Sequence, residues 1–159
     1  MQWYPVTAGD LPTVIAMDIR ELADWVGAED RPTIDVDKAW QGIHTVLTGA
    51  AWPEGHDLDA LVFGGTPIGG EELSYGPARY LGADDVAALA TLLEPIAVAD
   101  FEARIDLALL ARLDVYPQVW DRQDEADVNR AYLADSYAVL RDAFRSSKAN
   151  AEAMVVALL

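Results

Sequence analysis

Cysteine is absent from this chain. That excludes disulfide scaffolds, cysteine-ligated zinc, iron–sulfur clusters and thiol catalysis. Lysine is nearly absent, with only Lys38 and Lys148. All bases together number 11 against 27 acids, for a net charge of −16. Nucleic-acid affinity rests on bases displacing counterions from phosphates, so binding to bare nucleic acid is not expected. Anionic membrane surfaces repel such a chain for the same reason. Few lysines beside much Ala, Asp and Val is the composition that a GC-rich bacterial genome produces. Long apolar runs are missing too. No window approaches the roughly 18 uninterrupted apolar residues of a spanning helix. Met1–Pro5 has neither the basic nor the apolar region of a signal peptide. The expectation is a cytoplasmic protein with no membrane association.

What is present is a core. Apolar residues make up 52% of the 159, slightly above the usual share of about 45–50%. A chain of this length is one ordinary domain, here taken as 1–159. Gln2–Val6 reads as a short strand. Asp10 caps a helical stretch running through Ile15, Ile19, Leu22 and Trp25–Val26, which Gly27 ends. Asp35 caps a second helix over 36–48. There Val36, Ala39, Trp40, Ile43, Val46 and Leu47 recur at the spacing of one apolar face, and Gly49 stops it.

Residues 49–77 hold seven of the 11 glycines together with Pro53, Pro67 and Pro77. Only Ala60–Phe63 reads as a strand in this stretch. So long a segment with little regular structure points to a binding loop or lid. Ala78–Leu81 reads as a strand and Asp84–Leu93 as a helix. A further helix is expected over about 100–113, then a turn over 114–120 and a long helix over about 124–146. The apolar run Ala153–Leu159 suits a buried strand. Strands separated by groups of helices argue for an α+β fold: one domain, a small mixed sheet packed by several helices, and a long Gly-rich loop.

The chemistry-bearing residues are few. On the helix over 36–48, Asp37, His44, Thr48 and Gln41 border the apolar stripe, with Trp40 beside them. A histidine next to a carboxylate can serve as a general base. Asp37 and His44 are two turns apart, about 10 Å along the axis, too far for a direct bond. The structural alternative is that Asp37 favours the helix dipole and His44 is half-buried. His56, in the loop, is the other histidine. His44, His56, Asp57 and Asp59 match no HExxH-type spacing and no calcium-loop pattern, so neither metal nor cofactor is expected. Gly64–Gly70 lacks the Lys-Ser/Thr of a phosphate loop, and Glu71 and Glu72 follow it. Arg79 is the only base between Lys38 and Arg104, an interval with ten acids. It is either an internal ion-pair tie for the loop, the favoured reading, or an anion clamp in a pocket. Trp52 and Trp120 fall in loops, where an exposed ring can anchor a partner but more often packs beneath the loop.

The segments Ile34-Asp35-Val36-Asp37-Lys38-Ala39-Trp40, Ile43-His44 and Leu47-Thr48-Gly49 resemble the core of the YfbM-like bacterial proteins. Gly64–Gly69, Tyr75–Leu81 and Val115-Tyr116-Pro117 with Trp120 extend the resemblance over nearly the whole chain. The N-terminus departs, since Gln2-Trp3-Tyr4 stands where that family begins with a glycine-containing strand. The resemblance implies a mixed α and β fold and no assigned activity, so no catalytic residue carries over. It also implies that the helix over 36–48, the Gly-rich loop and Arg79 form one structural unit.

Two functional readings follow. The first is a non-catalytic, acidic binding or regulatory domain that meets a basic protein partner, in the manner of an immunity-type inhibitor or adaptor, through Trp52 or Trp120. It requires a contiguous acidic patch around an exposed ring. The second is a small-molecule binder or hydrolase with a cleft formed by Asp37, Trp40, His44, Thr48, Arg79 and Tyr80. It requires those side chains to converge. Sequence leaves the oligomeric state open.

Overall fold

The apolar run at 153–157 becomes the middle of the sheet. In the computed structural model, which describes residues 1–69 and 72–159, strand β5 (Ala153–Ala157) is buried along its whole length. It pairs on one side with β1 (Gln2–Val6), Trp3 opposite Val156. On the other side it pairs with β4 (Arg79–Leu81), Tyr80 opposite Val155. Two short edge strands, β2 (Ile34–Asp35) and β3 (Thr66–Pro67), complete the order β2-β1-β5-β4-β3. Every pairing is antiparallel.

Side chains alternate across this sheet, so it feeds two cores. Trp3, Leu81, Met154 and Val156 face the larger one. Tyr4, Val6, Val155 and Ala157 face the smaller one with Val14, Leu22 and Val26. Helices α1 (Leu11–Ile15) and α2 (Ile19–Val26) cover the smaller core. Helices α3 (Trp40–Thr48), α5 (Ala83–Leu93), α6 (Val98–Ala103), α7 (Leu107–Arg112) and α8 (Ala126–Ala149) build the larger one. Within it Phe101 stacks on Tyr137 at 4.0 Å, and the Tyr137 hydroxyl donates to the Ile96 carbonyl at 2.8 Å. This is an α+β domain.

Four local expectations are corrected. The helix foreseen from Asp10 to Val26 breaks in two, because Asp18 and Glu21 form a reciprocal capping box that restarts it. The helix foreseen over about 100–113 breaks in the same way. The Asp106 carboxylate caps Leu109 N–H at 3.0 Å and opens α7. Asp35 does not cap α3. It lies in β2 and accepts the Asp37 N–H at 2.7 Å, turning the chain through a left-handed Asp37 with φ 46°. Val36 and Ala39 keep their places in the core although the helix starts only at Trp40.

The fourth correction is Ala60–Phe63, which forms helix α4 and not a strand. A four-residue apolar run carries too little periodicity to distinguish the two. The preceding 3₁₀ turn Asp57–Asp59 decides it by delivering the chain in helical conformation. Of the Gly-rich loop, Gly70 and Glu71 lie outside the described residues.

Candidate functional site

A cleft of about 930 Å³ opens where the start of α3, the loop before α4, the loop after α7 and the end of the sheet meet. Asp35, Asp37 and Asp114 give it carboxylates, and Lys38 is the lysine on its wall. Trp40, Trp52, Tyr75 and Tyr116 give it aromatic faces. Trp52 is 60% exposed and Tyr75 74%, whereas Tyr116 is 37% exposed.

Gln41 sets the width of this cleft. Its side chain is buried. Its Nε2 donates to the Ala51 carbonyl at 3.0 Å, and its Oε1 accepts the Tyr116 N–H at 2.8 Å. One amide therefore fixes the two loops that carry Trp52 and Tyr116. Behind them the rings form a continuous cluster. Phe63 meets Trp40 at 6.0 Å, Trp52 at 5.7 Å and His44 at 4.8 Å, and Trp40 meets Tyr116 at 6.1 Å.

The acid wall is held as firmly. The Asp35 carboxylate accepts from Gln2 Nε2 at 2.8 Å and from the Asp37 N–H. The Asp37 carboxylate accepts the Tyr132 hydroxyl at 3.2 Å, and that hydroxyl accepts the Lys38 N–H at 3.0 Å. Burial, then the Asp37 charge, push the Tyr132 phenol up to about 12. The Met1 ammonium donates to the Asp37 carbonyl at 2.8 Å. Burial lowers its pKa, against the pull of Asp35 and Asp37. Three lining residues, Asp37, Asp114 and Gln118, have left-handed backbones with φ of 46°, 53° and 58°. Non-glycine residues in this region cost about 1 kcal/mol or more and gather at binding sites.

Asp37, Trp40 and Trp52 thus share the cleft; His44, Thr48, Arg79 and Tyr80 are not among the residues lining it. His44 lies one turn deeper with its side chain 0% exposed. The carboxylate beside it is Asp59, with Nε2 and Oδ1 3.7 Å apart, beyond hydrogen-bond length. Burial lowers the His44 pKa, opposed by the Trp52 carbonyl and the Asp59 charge, so the ring is neutral at pH 7. Burial raises the Asp59 pKa, but N–H donors from Gly55, His56 and Glu54 outweigh it and leave the carboxyl below its ordinary value. Thr48 donates its hydroxyl to the His44 carbonyl at 2.9 Å.

Arg79 projects from β4 and donates through Nη2 to the Val62 carbonyl at 2.9 Å. Burial lowers its pKa. The tie is to a carbonyl of α4. Tyr80, the next residue on the strand, packs against the smaller core. Successive strand residues face opposite sides, so one wall cannot take both. Trp120 is 3% exposed and bonds the Val115 carbonyl at 2.7 Å through Nε1; it is a core residue. Among the described residues no cluster of three or more His, Asp or Glu is arranged to hold a metal ion. No described helix is long and apolar enough to cross a membrane.

Sequence reasoning missed Tyr75, Asp114, Tyr116 and Gln118 as cleft residues. The Tyr116-Pro117 turn was visible, but nothing in it announces that it faces the start of α3. Non-glycine left-handed residues carry no sequence signal of their own.

No curated protein matches the sequence. The fold is similar to that of a protein of unknown function, YfbM from Escherichia coli, with a TM-score of 0.75 at 16% identity. The match covers 97% of this chain and 96% of that one. A domain of unknown function, DUF1877, matches residues 9–157. The chain belongs to that DUF1877 family of domains of unknown function.

Proposed function

We propose that this chain is a non-catalytic binding domain whose cleft receives a basic segment of a protein partner. The observation that carries the reading is the meeting of exposed aromatic rings and carboxylates on one concave surface. Trp52, Tyr75 and Tyr116 stand open beside Asp35, Asp37 and Asp114. An arginine or lysine side chain fits this chemistry twice over. Its stem and charge lie over a ring, and its head meets a carboxylate. The net charge of −16 steers such a partner toward the domain and disfavours a phosphate-bearing one.

The described lining holds no serine, threonine or histidine, and the Asp35 and Asp37 carboxylates on it already accept from Gln2, the Asp37 N–H and Tyr132. The His44–Asp59 pair is buried behind it. This supports binding over hydrolysis. Neither His44 nor Arg79 lines the cleft, which favours the binding reading over a hydrolase centred on them.

The test is titration with short arginine-rich, lysine-rich and glutamate-rich peptides, followed by calorimetry at low and high salt. The basic peptides bind and the acidic one does not. Trp52→Ala weakens binding about tenfold, equivalent to about 1.4 kcal/mol. Asp114→Asn weakens it and flattens its salt dependence. Binding that ignores both substitutions would overturn the proposal.

A further inference from the structure

Behind the cleft lie two buried polar atoms without protein hydrogen-bond partners, His44 Nδ1 and Asp59 Oδ1. Buried polar atoms in folded proteins are nearly always paired, so each such exception calls for a reason. Here the two exceptions belong to neighbouring side chains. His44 Nε2 faces Asp59 Oδ1 at 3.7 Å.

The other oxygen of Asp59 is fully engaged. It accepts the N–H groups of Glu54, Gly55 and His56 at 3.0, 2.8 and 2.9 Å. Asp59 is therefore the clasp that gathers the segment 54–59, with Trp52 just upstream. Trp52 bears on His44 by two routes. Its backbone carbonyl favours the protonated imidazole, and its indole packs on Phe63, whose edge meets that ring.

A neutral imidazole has one N–H and cannot donate from both nitrogens, whichever tautomer it adopts. An imidazolium donates from both. We propose that one proton on His44 latches the 52–59 segment to α3, through Nε2–H to Asp59 Oδ1 and through the second N–H to the Trp52 carbonyl, and so reseats Trp52 at the cleft wall. This rests on the cleft being the binding surface only for its consequence; the latch itself is a property of the free domain.

The surroundings favour a clean response. From the 3₁₀ turn and the loop before it, Asp59 and His56 are the charged or titratable groups that act on His44. From α4 the ring meets Phe63. On its own helix it meets the Thr48 hydroxyl at 3.5 Å. Where α8 crosses α3, at Gly42, the contacts are Leu133 and the Trp120 ring. Asp59 attracts the proton and His56 opposes it, while burial keeps it off at neutral pH.

The test is NMR of the full chain from pH 8 to pH 4, following the His44 ring and the Trp52 indole N–H, the latter assigned with Trp52→Phe. The two titrate with one midpoint below 6.5. In Asp59→Asn, which keeps an oxygen for the N–H clasp but loses the charge, both midpoints fall together. In His56→Gln the Trp52 shift persists. A Trp52 signal that stays fixed while His44 titrates overturns the latch, as does a Trp52 midpoint that fails to follow His44 in Asp59→Asn. The peptide titrations, run at pH 7.5, fail or succeed separately. Peptide binding without a Trp52 titration sinks the latch alone, and a Trp52 titration without peptide binding sinks the cleft reading alone.

Discussion

The Gln41 side chain accepts the backbone N–H of Tyr116 at 2.8 Å, across 75 positions of sequence. The same amide donates to the Ala51 carbonyl. Gln41→Leu keeps the volume and strands both backbone groups away from water. Each stranded group costs about 1–3 kcal/mol. The expected result is a loss of at least 2 kcal/mol by that reckoning in urea unfolding, with weaker basic-peptide binding as both cleft walls loosen. Gln41→Glu retains the acceptor for Tyr116 but sets a buried carboxylate against the Ala51 carbonyl, so it is expected to lose at least as much.

Gly42 sits where α3 crosses α8. A Cβ there would lie 2.6 Å from Leu133 Cδ2 and 3.3 Å from the Trp120 ring. Ala in a helix interior ordinarily gains about 0.5–1 kcal/mol over Gly. Overpacking a filled core costs about 1–3 kcal/mol. The second effect wins because Leu133 and Trp120 are both buried. Gly42→Ala should therefore lower the urea midpoint, and Gly42→Ala with Leu133→Val should recover part of the loss.

Asp59→Ala removes the acceptor for three N–H groups at once. Hydrogen bonds to a charged group contribute about 1.5–3 kcal/mol each, less when shared, so a loss of about 3 kcal/mol is expected in thermal or urea unfolding. The pH dependence has a definite sign. The Asp59 pKa is lowered in the fold, so its contribution is present above 3.8 and disappears as pH falls through the folded value. His44 is lowered too. Its neutral form contributes fully above 6.5, and that contribution is lost as pH falls through its folded value. Both steepen acid unfolding, and in Asp59→Asn the part of the acid limb below 3.8 should be lost while the His44 part remains.

Tyr132 and Tyr4 give the opposite limb. Both phenols are raised to about 12, by burial first and then by nearby aspartates. The folded state keeps these protons after the unfolded chain has released them near 10. Their stabilisation is present below pH 10 and is lost as pH rises through about 12. Tyr132→Phe also frees Asp37 and the Lys38 N–H. It should cost about 1 kcal/mol at pH 7 and reduce the fall in stability between pH 10 and 12.

Fold and site differ in how far sequence reveals them. The strands at 2–6 and 153–157, the α3 apolar face and the stop at Gly49 were all legible, because burial leaves a periodic trace. The two split helices were misjudged because a short capping residue competes with an otherwise continuous apolar pattern. Asp18-x-x-Glu21 carried that signal openly. α4 was misread because four apolar residues carry too little periodicity to separate a helical turn from a strand. An acidic patch around Trp52 or Trp120 was only what the partner-binding reading required, with packing under the loop the favoured outcome, and Tyr75, Asp114 and Tyr116 were not named. Loops remote in sequence meet at the cleft, tied by Gln41 and by the ring cluster, and a glutamine on a helix carries no mark of what it will bridge. Arg79 and Tyr80 were both assigned to the candidate cleft, although successive residues of a strand face opposite sides.

The central position of β5 has a consequence for how the molecule comes to exist. Chains are made from the N-terminus, and β1 and β4 are each complete well before the strand that joins them. Until 153–157 emerge, Trp3 lacks its Val156 partner and Leu81 its Met154 partner, and both sheet halves present open edges. Closing the sheet means bringing Gln2 to Ala157, nearly the full length of the chain, and pairings that distant are slow to form. The nascent protein therefore spends its synthesis exposed to other chains along those edges. A shortened product ending before Ala153 would lack the one element that either half needs to fold.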